Sequence, residues 1–266
     1  MNIVMNKCED YTLTIQDFKN ENYQKCNGIY VHPNIIGDLN KPIFRYMQFG
    51  YLLEMLGTSK LYVPNRINFR DQTEKGRMEN LRNRFLFTIV PKTNKERKEN
   101  NMFIDLKEKQ REFAYNICIS CWTYDAYSKH SKMLDENYLM WKTYTSNGVG
   151  CRIETTIHNL ISSINNVENI DILISKVSYV TEHINDGNVQ HYIFEKPVYY
   201  RDEKEVRLCI LKKDPYINLT INPFQMIKKI ILSPFINKRH SDLLIEGLKN
   251  KYPDWDIRME KSHIME

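Results

Sequence analysis

Two hydrophobic periods alternate along the chain from residue 42 onward, one of about 2 residues and one of about 3.6, and they divide it into strands and helices. PIFRY has the shorter period and reads as a strand, FGYLLEMLG as a helix ended by Gly57, and SKLYVP as a second strand ended by Pro64. Residues 91 to 112, PKTNKERKENNMFIDLKEKQRE, carry dense charge and few apolar positions, which predicts an exposed loop running into a helix. AYNICISCWTYD then reads as a buried strand, and DENYLMWKTYTSNGVGCRIETT as helix, SNG turn and strand.

Further on, IHNLISSI is helical, DILISKVSYV has strand character, and VQHYIFEK leads into YYRDEKEVRLCIL. MIKKIILSPF predicts a strand, HSDLLIEGLKNKYP a helix stopped by Pro253, and WDIRMEK a last strand. Strands and helices are mixed without regular βαβ alternation, which argues for an α+β class over a doubly wound sheet. The first 40 residues, punctuated by NG, HPN and GD, read as an N-terminal extension packed on a main domain of residues 41–266.

Composition narrows this picture only modestly. At 266 residues, 42% hydrophobic and 27% charged, the sequence is that of a folded globular protein. A net charge of +5 is compatible with an anionic partner and decides nothing alone. No segment approaches the roughly 18 apolar residues of a membrane helix, and MNIVMNKCEDYTL lacks the pattern of a secretory signal, so no membrane partner and a cytoplasmic location are expected. Six cysteines scattered through the chain read as free thiols of a reducing compartment.

Candidate chemistry starts from YYRDEKEVRLCIL. If the segment is extended throughout, Glu203, Glu205 and Arg207 share one face and Val206, Leu208 and Ile210 the other, with the two carboxylates roughly 7 Å apart. The alternatives are a salt-laced edge strand with a solvated polar face, or half of an active site. In ICISCW, Cys118 and Cys121 form a CxxC whose sulfurs point to opposite faces of a strand, which disfavours a redox or zinc pair; Ser120 and Trp122 share a face suited to a ligand. In PIFRYMQ, Arg45 sits on a face with apolar neighbours and needs either an anionic partner or a route to solvent. Glycine-rich phosphate loops are absent, and the seven histidines show no metal-site spacing, so no metal is expected.

Taken together, IFRYMQFGYLLEMLGTSKLYV, NFRDQTE, ISCWT, LMWKTYTSNGVGCRIE and KPVYYRDEKEVR resemble a large bacterial family catalogued as a domain of unknown function, from about Ile43 to Ile257. That family has a tyrosine-rich entry strand and FNDPFE-, MWxxY- and ExEWR-like motifs. This chain departs from it at Arg70, Gln72 and Tyr200. More remotely, the order Arg45, Ser120, Glu203-x-Glu205 is similar to the arginine, serine, E-x-E arrangement of the ADP-ribosyltransferase superfamily.

That resemblance implies a split mixed or antiparallel β-sandwich flanked by helices, with NAD as substrate and a protein or nucleic acid as acceptor. It implies catalytic roles for Glu205, which would stabilise the oxocarbenium-like ribose, and Glu203, which would orient or deprotonate the acceptor. Arg45 would engage the dinucleotide, Ser120 would position Glu205 and the ribose, and aromatic residues such as Tyr46, Tyr62 and Trp122 would flank the nicotinamide. A bacterial toxin or anti-phage effector, with an antitoxin or regulatory partner, is the setting the analogy suggests. Two alternatives stand beside it. One is a metal-dependent nuclease using Asp202, Lys204 and Asp71 or Glu74; the other is a non-catalytic nucleic-acid-binding module using the basic segment 92–112.

Overall fold

The computed structural model describes residues 11–69, 93–124, 136–145, 149–165, 167–181 and 188–264. Near its start, Thr14 and Asp17 form a capping box on a 3-10 turn over Ile15–Glu21. Strands β1 (Gln24–Cys26) and β2 (Ile29–Val31) make a hairpin through Asn27 and Gly28, both at positive φ, as an NG turn requires. His32 then caps the short helix α1 (Pro33–Ile36). Strand β3 (Pro42–Gln48), helix α2 (Phe49–Thr58) and strand β4 (Lys60–Pro64) follow the periodicity closely. Helix α2 ends one residue beyond Gly57, and Ser59 rather than the glycine takes the left-handed cap at φ 55°.

The described part of the charged segment is helical from Asn94 on: α3 covers Asn94–Tyr115, capped by Thr93. It is not a merely solvated element, because Ile104, Gln110, Phe113 and Ala114 are buried. Strand β5 (Cys118–Tyr124), helix α4 (Tyr138–Thr145), strand β6 (Gly150–Thr156) and helix α5 (Ile157–Ser163) come next. DILISKVSYV divides into β7 (Ile172–Lys176) and β8 (Ser178–Val180), and α6 (Val189–Phe194) runs directly into β9 (Glu195–Pro197). The remainder comprises β10 (Glu205–Ile210), β11 (Tyr216–Thr220), α7 (Pro223–Met226), β12 (Lys229–Leu232), α8 (Lys238–Lys251) and β13 (Arg258–Lys261).

The chain is an α+β protein built on a nine-stranded mixed sheet in the order β1-β2-β7-β10-β5-β3-β6-β12-β13. Residues 24–31 are therefore one edge of that sheet, joined through the parallel pair β2 and β7. Pairing is extensive between β10 and β5, which match over all six residues of β10, and between β3 and β6, which match over all seven of β3. In the middle, β3 and β5 share only Ile43 opposite Tyr124 and Phe44 opposite Thr123. Beyond Phe44 these two strands part, and the strand β4 approaches β5 through the Asn65–Cys118 bridge.

Both faces of the sheet are covered. Ile43, Met47, Trp122, Ile153, Val206 and Leu208 belong to the larger core, together with residues of α2, α5 and β4. On the opposite face, Ile119, Leu173 and Cys209 pack with Phe113 of α3 and with Ile193 and Phe194 of α6, while Phe44 and Tyr46 pack with Trp141 of α4. Burial on this scale, at about 25 cal/mol per Å² of apolar surface, is the main term holding the sheet between its layers.

Candidate functional site

The place where β3 and β5 separate is also where the polar residues gather. Arg45 lies one residue past the last β3–β5 pair, and its Nη1 donates to Ser120 Oγ across the opening at 2.9 Å. Trp122 Nε1 donates to the same oxygen at 3.0 Å, so Ser120 has both acceptor lone pairs occupied. The Arg45 guanidinium also stands 5.7 Å from the centroid of the Trp122 ring, within cation–π range. Burial lowers the pKa of Arg45 from its ordinary value, and the fields of Cys121 and Tyr144 raise it partway back. No carboxylate pairs with Arg45 among the described residues.

Glu205 opens β10 directly opposite Thr123, beside the same separation point. It is only 3% exposed, and Arg207 grips it with Nε at 2.8 Å from Oε1 and Nη2 at 3.2 Å from Oε2. Lys196 of β9 adds Nζ at 3.0 Å from Oε2 and reaches Glu203 Oε2 at 2.6 Å. Burial alone pushes the Glu205 carboxyl up, but Arg207 and Lys196 outweigh it and, with hydrogen bonds from Arg207 and the Cys121 thiol, hold it well below the usual carboxylate range. Glu205 is thus ionised at neutral pH, in a cluster of two carboxylates and two cations. Its backbone N–H donates to Tyr179 Oη at 2.8 Å. Tyr144 of α4 is 43% exposed as a whole residue, and its hydroxyl end is desolvated enough that this, followed by the fields of Glu203, Cys121 and Glu205, raises its pKa above the ordinary tyrosine value.

Two readings of the E-x-E segment need correction. Val198–Glu203 is a 3-10 turn closed by Lys204 at φ 44°, so Glu203 is not on the strand and does not share a strand face with Glu205. No glycine marks that left-handed position, which is why strand alternation looked continuous. Nor is β10 an edge strand, since it lies between β7 and β5 with all six residues buried.

The register also settles which residues share a face. Ser120 is opposite Leu208, on the face of the larger core, whereas Glu205 and Arg207 are opposite Thr123 and Cys121 on the other. Arg45 and Ser120 are therefore brought together directly, while Glu205 flanks the same seam from the opposite side. Cys121 connects the two, bonding Glu205 and acting on Arg45. Cys118 and Cys121 sit on opposite faces, in different packing clusters, as their spacing predicts.

The aromatic candidates divide. Trp122 is 1% exposed in the core, and Tyr46 packs edge-on against Trp141 at 4.9 Å with its hydroxyl accepting from Asn137 N–H, so both shape the walls. Tyr62 is 39% exposed beside Tyr216. Asp202 lies on the exposed 3-10 turn before Lys204, and Asp71 and Glu74 fall outside the described residues. Among the described residues, no group of three or more His, Cys, Asp or Glu side chains is gathered as a metal would need. None of the described helices is long and apolar enough to cross a membrane.

Lys196 of β9 and Tyr144 of α4 belong to the cluster without any local sequence signal, and Cys121 of β5, which the sequence marks only as half of a CxxC, enters it through its hydrogen bond to Glu205. No family model matches this chain, and no curated protein matches it either.

Proposed function

We propose that the protein is an NAD-consuming ADP-ribosyltransferase, with the seam between β3 and β5 as its substrate cleft. The observation that carries this reading is the sheet itself: two well-paired halves meet at only two residue pairs, with Arg45 and Ser120 bonded across the opening and Glu205 beside its apex. A split sheet flanked by helices is the architecture that the arginine, serine, E-x-E resemblance implies.

Each residue has a chemical task in that reaction. Breaking the bond between nicotinamide and ribose builds positive charge on the ribose, and a carboxylate already ionised at neutral pH stabilises that charge without reorganisation. Glu205 is such a carboxylate. To act, it exchanges part of its Lys196 contact for the ribose hydroxyl, while Arg207 keeps its orientation fixed. Glu203, partly exposed on its turn and tethered by Lys196, is placed to receive a proton from the acceptor nucleophile. Arg45 supplies charge-assisted hydrogen bonds to a diphosphate, and Ser120 holds its side chain toward the cleft.

Incubation of the pure protein with NAD labelled in its adenylate half, together with a cell lysate, tests the reading. The expected products are free nicotinamide and a labelled macromolecule, and the nature of the labelled species identifies the acceptor. A lysate that leaves all label in intact NAD overturns the proposal.

A further inference from the structure

Lys196 enters the Glu205 cluster from outside the nine-stranded sheet. It lies on β9, which pairs with β8 in a separate two-stranded sheet, opposite Tyr179. Two bonds dock that small sheet on the first residue of β10: the Glu205 N–H donates to Tyr179 Oη, and the Val177 N–H, just before β8, donates to the Glu205 carbonyl at 2.9 Å. The Lys196 side chain is buried, and its ammonium touches Glu203 Oε2 and Glu205 Oε2 while standing 4.7 Å from the centroid of the Tyr200 ring. Two carboxylates and the face of a ring around one ammonium form a setting that holds a cation.

Glu205 does not need this lysine to be paired, because Arg207 already bonds both of its oxygens. What Lys196 adds is a link to the second carboxylate, since Glu203 stands on the neighbouring 3-10 turn and is tied to Glu205 through it. Two carboxylate oxygens held on one nitrogen are close enough to oppose each other's ionisation, and such a pair titrates as a unit. Among the described residues the cluster holds these two carboxylates and two cations, Arg207 and Lys196, with the Cys121 thiol donating to Glu205 and the Tyr144 and Tyr179 phenols facing it from α4 and β8. Desolvation raises the pKa of both phenols, so neither adds a charge at neutral pH. Removing Lys196 therefore leaves a negative charge that a proton would cancel.

We infer that Lys196 is a positioning residue that keeps Glu203 and Glu205 ionised side by side, so that one carboxylate serves the ribose and the other the acceptor in the same complex. Its catalytic meaning rests on the proposed function; the charge pairing does not.

Two readouts on the full chain test it: the acid limb of kcat/KM for nicotinamide release, and a carbon-13 NMR titration of the glutamate carboxyl carbons, assigned with Glu203→Gln and Glu205→Gln. Lys196→Met should move both the acid limb and the titration of the carboxylate pair to higher pH by at least about one unit, which is tenfold in rate on that limb. Lys196→Arg, which keeps the charge, should restore both. If Lys196→Met does not fold, the double variant Lys196→Met with Glu203→Gln should, because it leaves Glu205 balanced by Arg207; a lysine needed only for packing would not be rescued in this way. An acid limb that stays in place in folded Lys196→Met, an unchanged titration of the pair, or a double variant no more stable than Lys196→Met overturns the inference. Absence of nicotinamide release from a folded wild type overturns the proposed activity instead, and the carbon titration then decides the charge pairing by itself.

Discussion

Arg45 Nη1 lies 2.9 Å from Ser120 Oγ, although their strands are no longer paired at that level. This side-chain bond spans the sheet where the backbone ladder has stopped, so it fixes both the width of the opening and the direction of the guanidinium. A serine whose oxygen accepts from an arginine and an indole is a positioning residue as well as a packing one.

Ser120→Ala should therefore lower stability by about 1–3 kcal/mol, because two buried donors lose their acceptor at once. Urea denaturation measures that loss. On the proposed mechanism the same variant should raise KM for NAD more than it lowers kcat in turnover assays, since Arg45 loses its direction and Glu205, on the other face, does not.

The Glu205 cluster predicts an acid limb. The folded pKa of Glu205 is depressed below its ordinary value of 4.5, so its contribution to stability is complete above that pH and is lost as pH falls toward about 2. Thermal unfolding followed from pH 7 down to pH 2 should show this loss. Glu205→Gln should be less stable at pH 7 and have a shallower acid limb.

Arg207→Met should be among the most damaging single changes, at about 3–5 kcal/mol. It leaves the buried carboxylate with Lys196 and the Cys121 thiol, one cation fewer, and removes the Arg207 bond to the Ile193 carbonyl. Glu203 is different, being partly exposed, and Glu203→Gln should cost only about 1 kcal/mol or less. On the proposed mechanism it should reduce transfer to the acceptor more than nicotinamide release, a split that parallel assays of both products would reveal.

Gly150 gives a steric prediction. A Cβ there would stand 2.1 Å from Thr145 Cβ at the end of α4, so Gly150→Ala must push that helix off β6. We expect a loss of about 1–3 kcal/mol by denaturant titration. Tyr144, one residue earlier on α4, should shift with it, so turnover should fall further than the lost stability accounts for.

Much of the fold was legible in the pattern, because strands such as PIFRY and KLYVP and the amphipathic α8 depend on local period and on proline and glycine punctuation. The site was legible in part. Arg45 stood out as a charge among apolar neighbours, and Ser120 as a hydroxyl beside a tryptophan. The start of β10 was not, since the left-handed Lys204 carries no glycine to betray it and Glu203 seemed to continue the alternation. Sheet order and register are long-range properties, so nothing local revealed that Ser120 and Glu205 occupy opposite faces or that Lys196 would reach from β9 to neutralise both glutamates.

The most direct test of the central claim is the rate of nicotinamide release from NAD by the wild-type chain and by Glu205→Gln, each first shown by circular dichroism and thermal melting to be folded. The account predicts measurable release by the wild type and a fall of at least about a hundredfold in the variant, the scale of a lost electrostatic stabiliser. Equal release by both proteins, or none by a folded wild type, would contradict it.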